Sequence, residues 1–452
     1  MNKVMGFIKG NLIVVISVVL ILAFLPAGYI FSQKWNKQVQ ADAEAAYKKE
    51  KRTLDSKSSI NYSLPAVLDG EADLSESRAP NTVVTEFYKA RKAEREVQVA
   101  DVVERGTEFN RGSHVQLVEG ILPAASDNRT LVRLAREMAE AIVGTESRPS
   151  VYQRKLQRLN AGLPPQPEVL AATLGEFETR ERQRYENSNT SGQMTPEQAE
   201  KLTNDLTARR LGEYIGQSKS LTFYCSTNAF VSPGASGSAG DEFSHVPSQV
   251  PAISSISEPV VFNWLWDYWV ISDVLDAAAR ANTSVQTGAM SIPDAPVKSV
   301  ESIQISKLDL TGSQNAVENQ GGGRRGAINP AGSRDDGEKP TFTGRKGGEA
   351  QSAFDIRMIQ VQVVASSKDL PKFIDAIGKT NYMTVTDIDL DSVDVWEDLE
   401  NGFYYGDEHV VRATMTIESV WLRSWMAPMM PDAVKTALGV PMQPVGGEDF
   451  DG

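Results

Sequence analysis

Cysteine is almost absent. Cys225 stands alone in 452 residues, which excludes an internal disulfide framework and any cysteine-rich metal site. Histidine is nearly as scarce: His114, His245 and His409 are scattered and unpaired by spacing, leaving little for a zinc site or a catalytic triad. Basic charge is also short, with 46 Lys and Arg against 59 Asp and Glu and a net charge of -13. Phosphate binding needs a basic face, so the deficit argues against nucleic acid as a partner. Long apolar runs are missing too, except for one near the start. These shortages favour contact over chemistry. No catalytic, cofactor-binding or metal-binding residue is assigned from the sequence, and no cofactor is expected.

The exception is residues 12–31, LIVVISVVLILAFLPAGYIF, which carry no charge and a single serine. At about 1.5 Å per residue such a helix spans the roughly 30 Å hydrocarbon core of a bilayer. A cleaved signal peptide is the other reading. The run exceeds the usual apolar region of about 7–15 residues, and no A-x-A-like site closes it, so an uncleaved single-pass anchor is expected. Lys3 and Lys9 precede the span, while Lys34 and Lys37 follow it, and the charge rule alone is nearly balanced. A short N-terminal tail before a long domain is the usual signal-anchor layout. On that ground the bulk of the chain is placed outside the cytoplasm, on an inner (plasma) membrane.

Residues 1–11 are then a short tail, 12–31 the transmembrane helix, and 32–58 a juxtamembrane helix. This last segment holds good helix formers and a thin apolar stripe (Val39, Ala43, Ala46, Tyr47), suited to a stalk or weak coiled coil. Residues 59–215 read as mainly helical. Asp127 and Asn128 cap a helix over 127–143, and Thr195-Pro196-Glu197-Gln198 is a capping box with proline at the first helical position. After residue 215 the texture turns to strands. Residues 221–231 (LTFYCSTNAFV) and 300–310 read as strands around a helix at 260–281, a first β-α-β unit within 216–311. A Gly- and Arg-rich linker at 312–351 has no periodicity and reads as disordered. The second unit, 352–427, has strands at 356–365, 383–395 and 410–422 and a helix at 368–378; 428–452 is a C-terminal tail. The strand at 410–422 alternates cleanly, Val411, Ala413, Met415 and Ile417 against Arg412, Thr414, Thr416 and Glu418. The fold class expected is α+β, with a ferredoxin-like βαβ-βαβ module plus an extra strand.

A short tail, one span, a helical stalk and such units resemble the PilO-like proteins of type IV pilus assembly and the related inner-membrane components of type II secretion. The stretches IRMIQVQVVASSKDLPKFIDAIGKTNYMTVTDIDLDSVD and HVVRATMTIESVWLR are closest in pattern to that family's second unit. The resemblance covers residues 1–58 and 220–423. The region 59–215 and the Gly-rich linker are longer than the pattern implies. The resemblance implies a scaffold without a catalytic motif, partnered by other single-pass proteins of one assembly and by copies of itself.

Three motifs have ordinary explanations. Gly321–Gly326 fits G-x-G-x-x-G, but Asn329-Pro330 follows where a helix should begin. Asp387, Asp389 and Asp391 resemble the start of a calcium loop, yet Ser392 stands where the turn glycine belongs, and alternation puts the aspartates on one strand face. Cys225 reads as a buried, inert thiol. The most informative cluster is Phe262, Trp264, Trp266, Tyr268 and Trp269 on one helix. At about 100° per residue the tryptophans cannot share one narrow stripe, so core packing competes with a partner-binding hot spot.

The function expected is a membrane-anchored, non-catalytic scaffold of a pilus- or secretion-type envelope assembly. The alternative is a periplasmic ligand-binding or sensor module on the same anchor, with an enzyme of unrecognised site behind it. A reporter active only outside the cytoplasm, fused after Gly452, is expected to be active. Cytoplasmic activity of the fusion would reverse the orientation, and a mature N-terminus near residue 30 would remove the anchor.

Overall fold

The computed structural model describes residues 12–67, 71–189, 192–230, 243–244, 246–252, 255–286, 288–308, 343–345 and 353–441. It is a mixed α+β chain that divides into two compact units, residues 1–105 and 106–452.

In the first unit, helix α1 (Leu12–Ser58) runs for 47 residues through Pro26 and buries none of its apolar stretch. Among the described residues it is the one helix long and apolar enough to cross a membrane. Its polar second half continues the same helix, as the Ala-, Lys- and Glu-rich composition requires. An antiparallel hairpin follows, β1 (Ile60–Leu64) on β2 (Leu74–Arg78), inside the region expected to be mainly helical. Helix α2 (Thr82–Arg111) supports it: the Tyr62 ring stacks on Tyr88 at 4.8 Å, and Arg95 donates to the Leu64 carbonyl at 2.8 Å.

The second unit is built on a four-stranded antiparallel sheet of order β5-β6-β8-β7, with β5 Val297–Ile305, β6 Phe354–Ser366, β7 Met383–Ser392 and β8 Val410–Leu422. The long central strands β6 and β8 pair without a slip from Phe354↔Leu422 to Ser366↔Val410. Helix α7 (Glu258–Ala281) precedes β5, and α8 (Leu370–Thr380) precedes β7. A two-residue pair, β3 (Thr283–Ser284) and β4 (Gly288–Ala289), follows α7. The β8 alternation holds: Ala413, Met415 and Ile417 are buried under the helices, while Thr414 and Thr416 face the open side.

The first half departs from the expected β-α-β order. Residues 221–230 form no ladder; Tyr224 makes single bridges to Ser299 and Gly162, and Thr227–Ala229 is a 3-10 turn. Their β-branched and aromatic side chains are used for burial instead, with Phe223, Tyr224, Cys225 and Phe230 all in the interior. Residue 231 lies outside the described residues. The repeating order is therefore α-β-β twice, α7-β5-β6 and α8-β7-β8. The strand expected to reach residue 395 stops at Ser392, because Asp394 accepts the Trp396 and Glu397 N–H groups and opens helix α9 (Val395–Glu400).

An outer helical layer covers α7 from the side away from the sheet. Helix α3 (Asn128–Val143) is capped by Asp127, which accepts the Arg129 and Thr130 N–H groups, and buries Leu134, Met138 and Ile142. In α4 (Val151–Arg158), Tyr152 packs on Tyr268, and Lys155 donates to Asp276 at 2.7 Å. Helices α5 (Pro167–Ser188) and α6 (Pro196–Ser220) form a mostly solvated pair; the capping box at Thr195 and Gln198 is present. Residues 428–441 are not a loose end. Arg423–Met426 forms α10, Asp432–Ala437 forms α11, and Met430, Val434, Leu438 and Val440 join the core.

Among the buried cations of this unit, Lys298 is held by backbone carbonyls. A register shift between Val297 and Ser299 places Lys298 inside, where its Nζ donates to the Ile292 and Pro293 carbonyls at 2.9 and 2.7 Å. The turn that accepts it also meets Gly406, whose φ is +90°; a Cβ there would lie 2.8 Å from the Pro293 oxygen. Burial pushes the Lys298 ammonium down to about 8, against the attraction of Glu408, Asp294 and Asp369. Between that value and its ordinary 10.5, the unfolded chain binds more protons than the folded one at this site. Stability from this group therefore rises with pH across that interval. Tyr224 and Tyr405, raised by burial above the usual tyrosine value, reverse the slope above about pH 10. From about pH 7.5 to 9.5 the wild-type unfolding free energy, from urea titration, should gain about 2 kcal/mol that Lys298→Met lacks. Equal pH slopes in the two proteins would contradict this.

Candidate functional site

At about 100° per residue, Phe262, Trp266 and Trp269 fall on one side of α7, while Trp264 and Tyr268 fall on another. Both sides are covered. Toward the sheet, Trp266 lies edge-on to Trp421 at 6.1 Å, and Trp269 stacks on Trp421 at 6.2 Å and meets Trp425 at 5.2 Å. Toward the outer layer, Tyr268 meets Tyr152 at 5.5 Å. Phe262, Trp264, Trp266 and Trp269 are buried and Tyr268 is half-buried. The surface expected to be left for a partner is thus taken up within the chain, because α7 is sandwiched between two layers.

Many polar groups of the interior are paired with one another, although the Trp266 and Trp421 indole N–H groups and the Arg357 Nε are buried without a hydrogen-bond partner among the described residues. Arg357 on β6 donates to Asp267 on α7 at 2.6 Å, and its guanidinium lies 4.7 Å from the Trp266 ring. Asn263 at 3.1 Å and Ser244 also donate to Asp267. Burial pulls the Arg357 guanidinium below its usual value, while the Asp267 carboxylate holds it up. A second node joins Asp273 to His114 at 3.1 Å and to Asn381 at 2.7 Å. Asn110 extends it, donating to Asn381 at 2.8 Å and accepting from the Leu422 N–H and the Trp425 indole N–H. His114 is walled by Trp269, Trp421 and Trp425, with ring centroids within 6.0 Å. A third pair, Asp355 and Arg423, bonds at 2.9 Å; burial raises the Asp355 carboxyl and Arg423 opposes it. Each node joins different elements, and what it does chemically is hold them in register.

Other candidates from the sequence fall as follows. Cys225 is buried, which pushes its thiol up to about 12. His409 is exposed, with Nδ1 3.2 Å from the Ser367 hydroxyl. His245 and Gly321–Gly326 lie outside the described residues. So does most of the linker; of residues 312–351 the structure describes 343–345, where Thr343 and Arg345 each donate to the buried Glu418 at 2.7 Å. No group of three or more His, Cys, Asp or Glu placed to hold a metal occurs among the described residues.

Exposed apolar side chains lie at several places on the unit, among them the opposite edge of the sheet. Edge strand β5 is covered by single bridges from Tyr224 and Phe243. Edge strand β7 has no such cover among the described residues, and all its residues from Asp387 to Ser392 are exposed. A bulge between Val385 and Asp387 sets its register. Beyond it, Ile388 and Leu390 stand opposite the core residues Met415 and Ala413, yet are 38% and 53% exposed. Asp389 and Asp391 stand opposite Thr414 and Arg412, on the open side. Four residues past the strand, Trp396 on α9 is 77% exposed, with Val395 beside it at 43%. Five of the seven tryptophans are buried, and Trp35 follows the apolar run of α1. That leaves Trp396 as the exposed indole of the second unit. Sequence reasoning passed it over. The signal was a lone tryptophan in residues 380–411, which hold nine Asp or Glu and no Lys or Arg.

No family model and no curated protein matches the chain. Among solved structures, the type 4 fimbrial biogenesis protein PilO from Pseudomonas aeruginosa is similar at 18% identity over 16% of this chain, with a TM-score of 0.12. The match spans 47% of that protein's length, about half.

The two classes of tryptophan separate on mutation. Trp266→Ala and Trp269→Ala should each cost about 3–5 kcal/mol in denaturant unfolding. Trp396→Ala should stay within about 0.5 kcal/mol. An early-melting Trp396→Ala would mean that its exposed ring supports the fold.

Proposed function

We propose that the chain is a membrane-anchored, non-catalytic scaffold that presents the β7–α9 edge to a protein partner. In this reading α1 is retained as a single-pass anchor in an inner (plasma) membrane, with the second unit on the extracytoplasmic side. The two α-β-β units form a ferredoxin-like sandwich entered at a helix rather than at a strand. The assembly is of the pilus or secretion type, and the partners are other single-pass proteins of that assembly.

One observation carries the proposal: two exposed aliphatic side chains on an open sheet edge, followed four residues past the strand by an exposed tryptophan, where the other five tryptophans of this unit are buried. Aromatic anchors supply most of the binding energy in protein interfaces, and an open edge offers backbone groups ready to pair. The buried carboxylates support a structural role, since Asp267, Asp273 and Asp355 are each bonded to a neighbouring element.

Trp396→p-benzoylphenylalanine tests this in intact membranes. Irradiation should give adducts with another single-pass membrane protein, identified by mass spectrometry, and none from the same residue placed at the exposed Arg129 on α3. Equal adducts from both positions, or none from either, would refute the scaffold surface.

A further inference from the structure

The edge itself carries information about what it binds. Resting on the scaffold reading, we infer that β7 takes up an extended polypeptide segment of alternating basic and apolar residues, paired as a fifth strand.

Three observations converge. The first is the open edge, where outward backbone groups of β7 lack a strand partner among the described residues. Ile388 N–H is satisfied locally by the Asp387 carboxylate at 3.0 Å, so the pairing stretch is Asp389–Ser392 and its continuation toward α9. The second is two-sidedness. Side chains of a strand alternate between faces, and here Ile388 and Leu390 lie on one face with Asp389 and Asp391 on the other. An added strand presents the same alternation to them, so its apolar side chains meet Ile388 and Leu390 and its cations meet the aspartates. The third is sign. Residues 380–411 contain nine acidic residues and no Lys or Arg, so this edge offers a new strand no internal counter-charge. Among the described residues two cations lie on the open side nearby, and both are held: Arg412, opposite Asp391, by Glu301 at 2.7 Å, and Arg345, 3.4 Å from the Thr384 hydroxyl, by Glu418 at 2.7 Å.

The same charge selects against a second copy of this chain. Two β7 edges side by side would set Asp389 and Asp391 against each other, and like charges across a strand pair are destabilising. Trp396 lies just past the end of the pairing stretch, where a large flat apolar group can close over the entering segment.

The test uses the full chain in detergent micelles and a fluorescent dodecapeptide of alternating lysine and valine, followed by anisotropy. Saturable binding is expected, and raising salt should weaken it by screening. A glutamate–valine peptide should not bind. Methylating alternate backbone nitrogens on one edge of the lysine–valine peptide should weaken it at least about tenfold, because that removes donors but no charge. Trp396→Ala and Asp389→Lys should each weaken it by about tenfold or more, and circular dichroism should show both variants folded. Equal affinity for the methylated peptide would reduce the attraction to charge alone and overturn strand addition. Unchanged binding by Trp396→Ala overturns it too, as does a dimer broken by Leu390→Arg without peptide binding. Cross-links from position 396 together with absent peptide binding would sink the strand inference and leave the scaffold reading standing. Absence of both would sink the two together.

Discussion

Helix α7 is the constraint from which the second unit follows. Sixteen of its residues are buried, so it needs neighbours around nearly its whole circumference. A single sheet covers only one side of a helix, and the outer layer of α3 and α4 supplies the other. This explains why residues 106–220 belong with the sheet in one compact unit, although they contribute no strand to it. Two carboxylates lie within that buried surface, Asp267 and Asp273, and an isolated buried charge is costly. Each dictates a partner. Asp267 requires Arg357, pointing from β6 into the core, and Asp273 requires His114 and Asn381. Register and tertiary arrangement are thereby coupled, since sliding β6 by one residue would turn Arg357 to the open face and strand Asp267.

Buried charge of this kind adds little net stability compared with a well-packed apolar core, and its contribution is to penalise alternatives. The His114 node illustrates this. Asn110, near the end of α2, bonds to the α8 terminus at Asn381, to Leu422 at the end of β8 and to Trp425 on α10. Four elements thus share one amide group, while three indoles wall the His114 ring of the same node. Glu418 repeats the device on the open face, where Thr343 and Arg345 reach it from the Gly-rich stretch. A segment whose composition offers almost no apolar surface is tied to the sheet there through a carboxylate rather than through burial.

How much of this was legible in the sequence depended on whether a feature is local. The β8 alternation, the Thr195 capping box and the Asp127 cap are set by residues within a few positions of one another, and each is found where the pattern put it. The 221–231 stretch was misread because β-branched and aromatic residues report burial as much as strand. Tyr224 has room for one bridge to β5 and one to Gly162, and no ladder grows from it. The strand Ile60–Leu64 does alternate, Ile60, Tyr62 and Leu64 against Asn61 and Ser63, but it is only five residues long and its apolar face is at most half-buried, so the helical reading of residues 59–215 passes over it. Periodicity identifies which sides of a helix are apolar but not what covers them. The spread of Trp264, Trp266 and Trp269 was therefore compatible with a partner until α3, α4 and the sheet were seen to occupy those sides.

The same limit hid Trp396. In the sequence it sits in VWEDLE, an unremarkable amphipathic turn, while the tryptophans of α7 stand in a conspicuous run. Clustering marks aromatics that share a core, because a core needs many of them close together. An interface anchor is better marked by isolation: one large apolar side chain among charges, with nothing nearby in sequence to bury it. Residues 380–411 fit that description, and the fold places them on the edge strand and the short helix after it. Edge strands are commonly blunted by a bulge and by charge, and β7 has both near Asp387. Charge of a single sign blunts selectively. It repels another acidic edge, including a copy of itself, and admits a basic one, so the feature that keeps β7 from aggregating also specifies the strand it accepts.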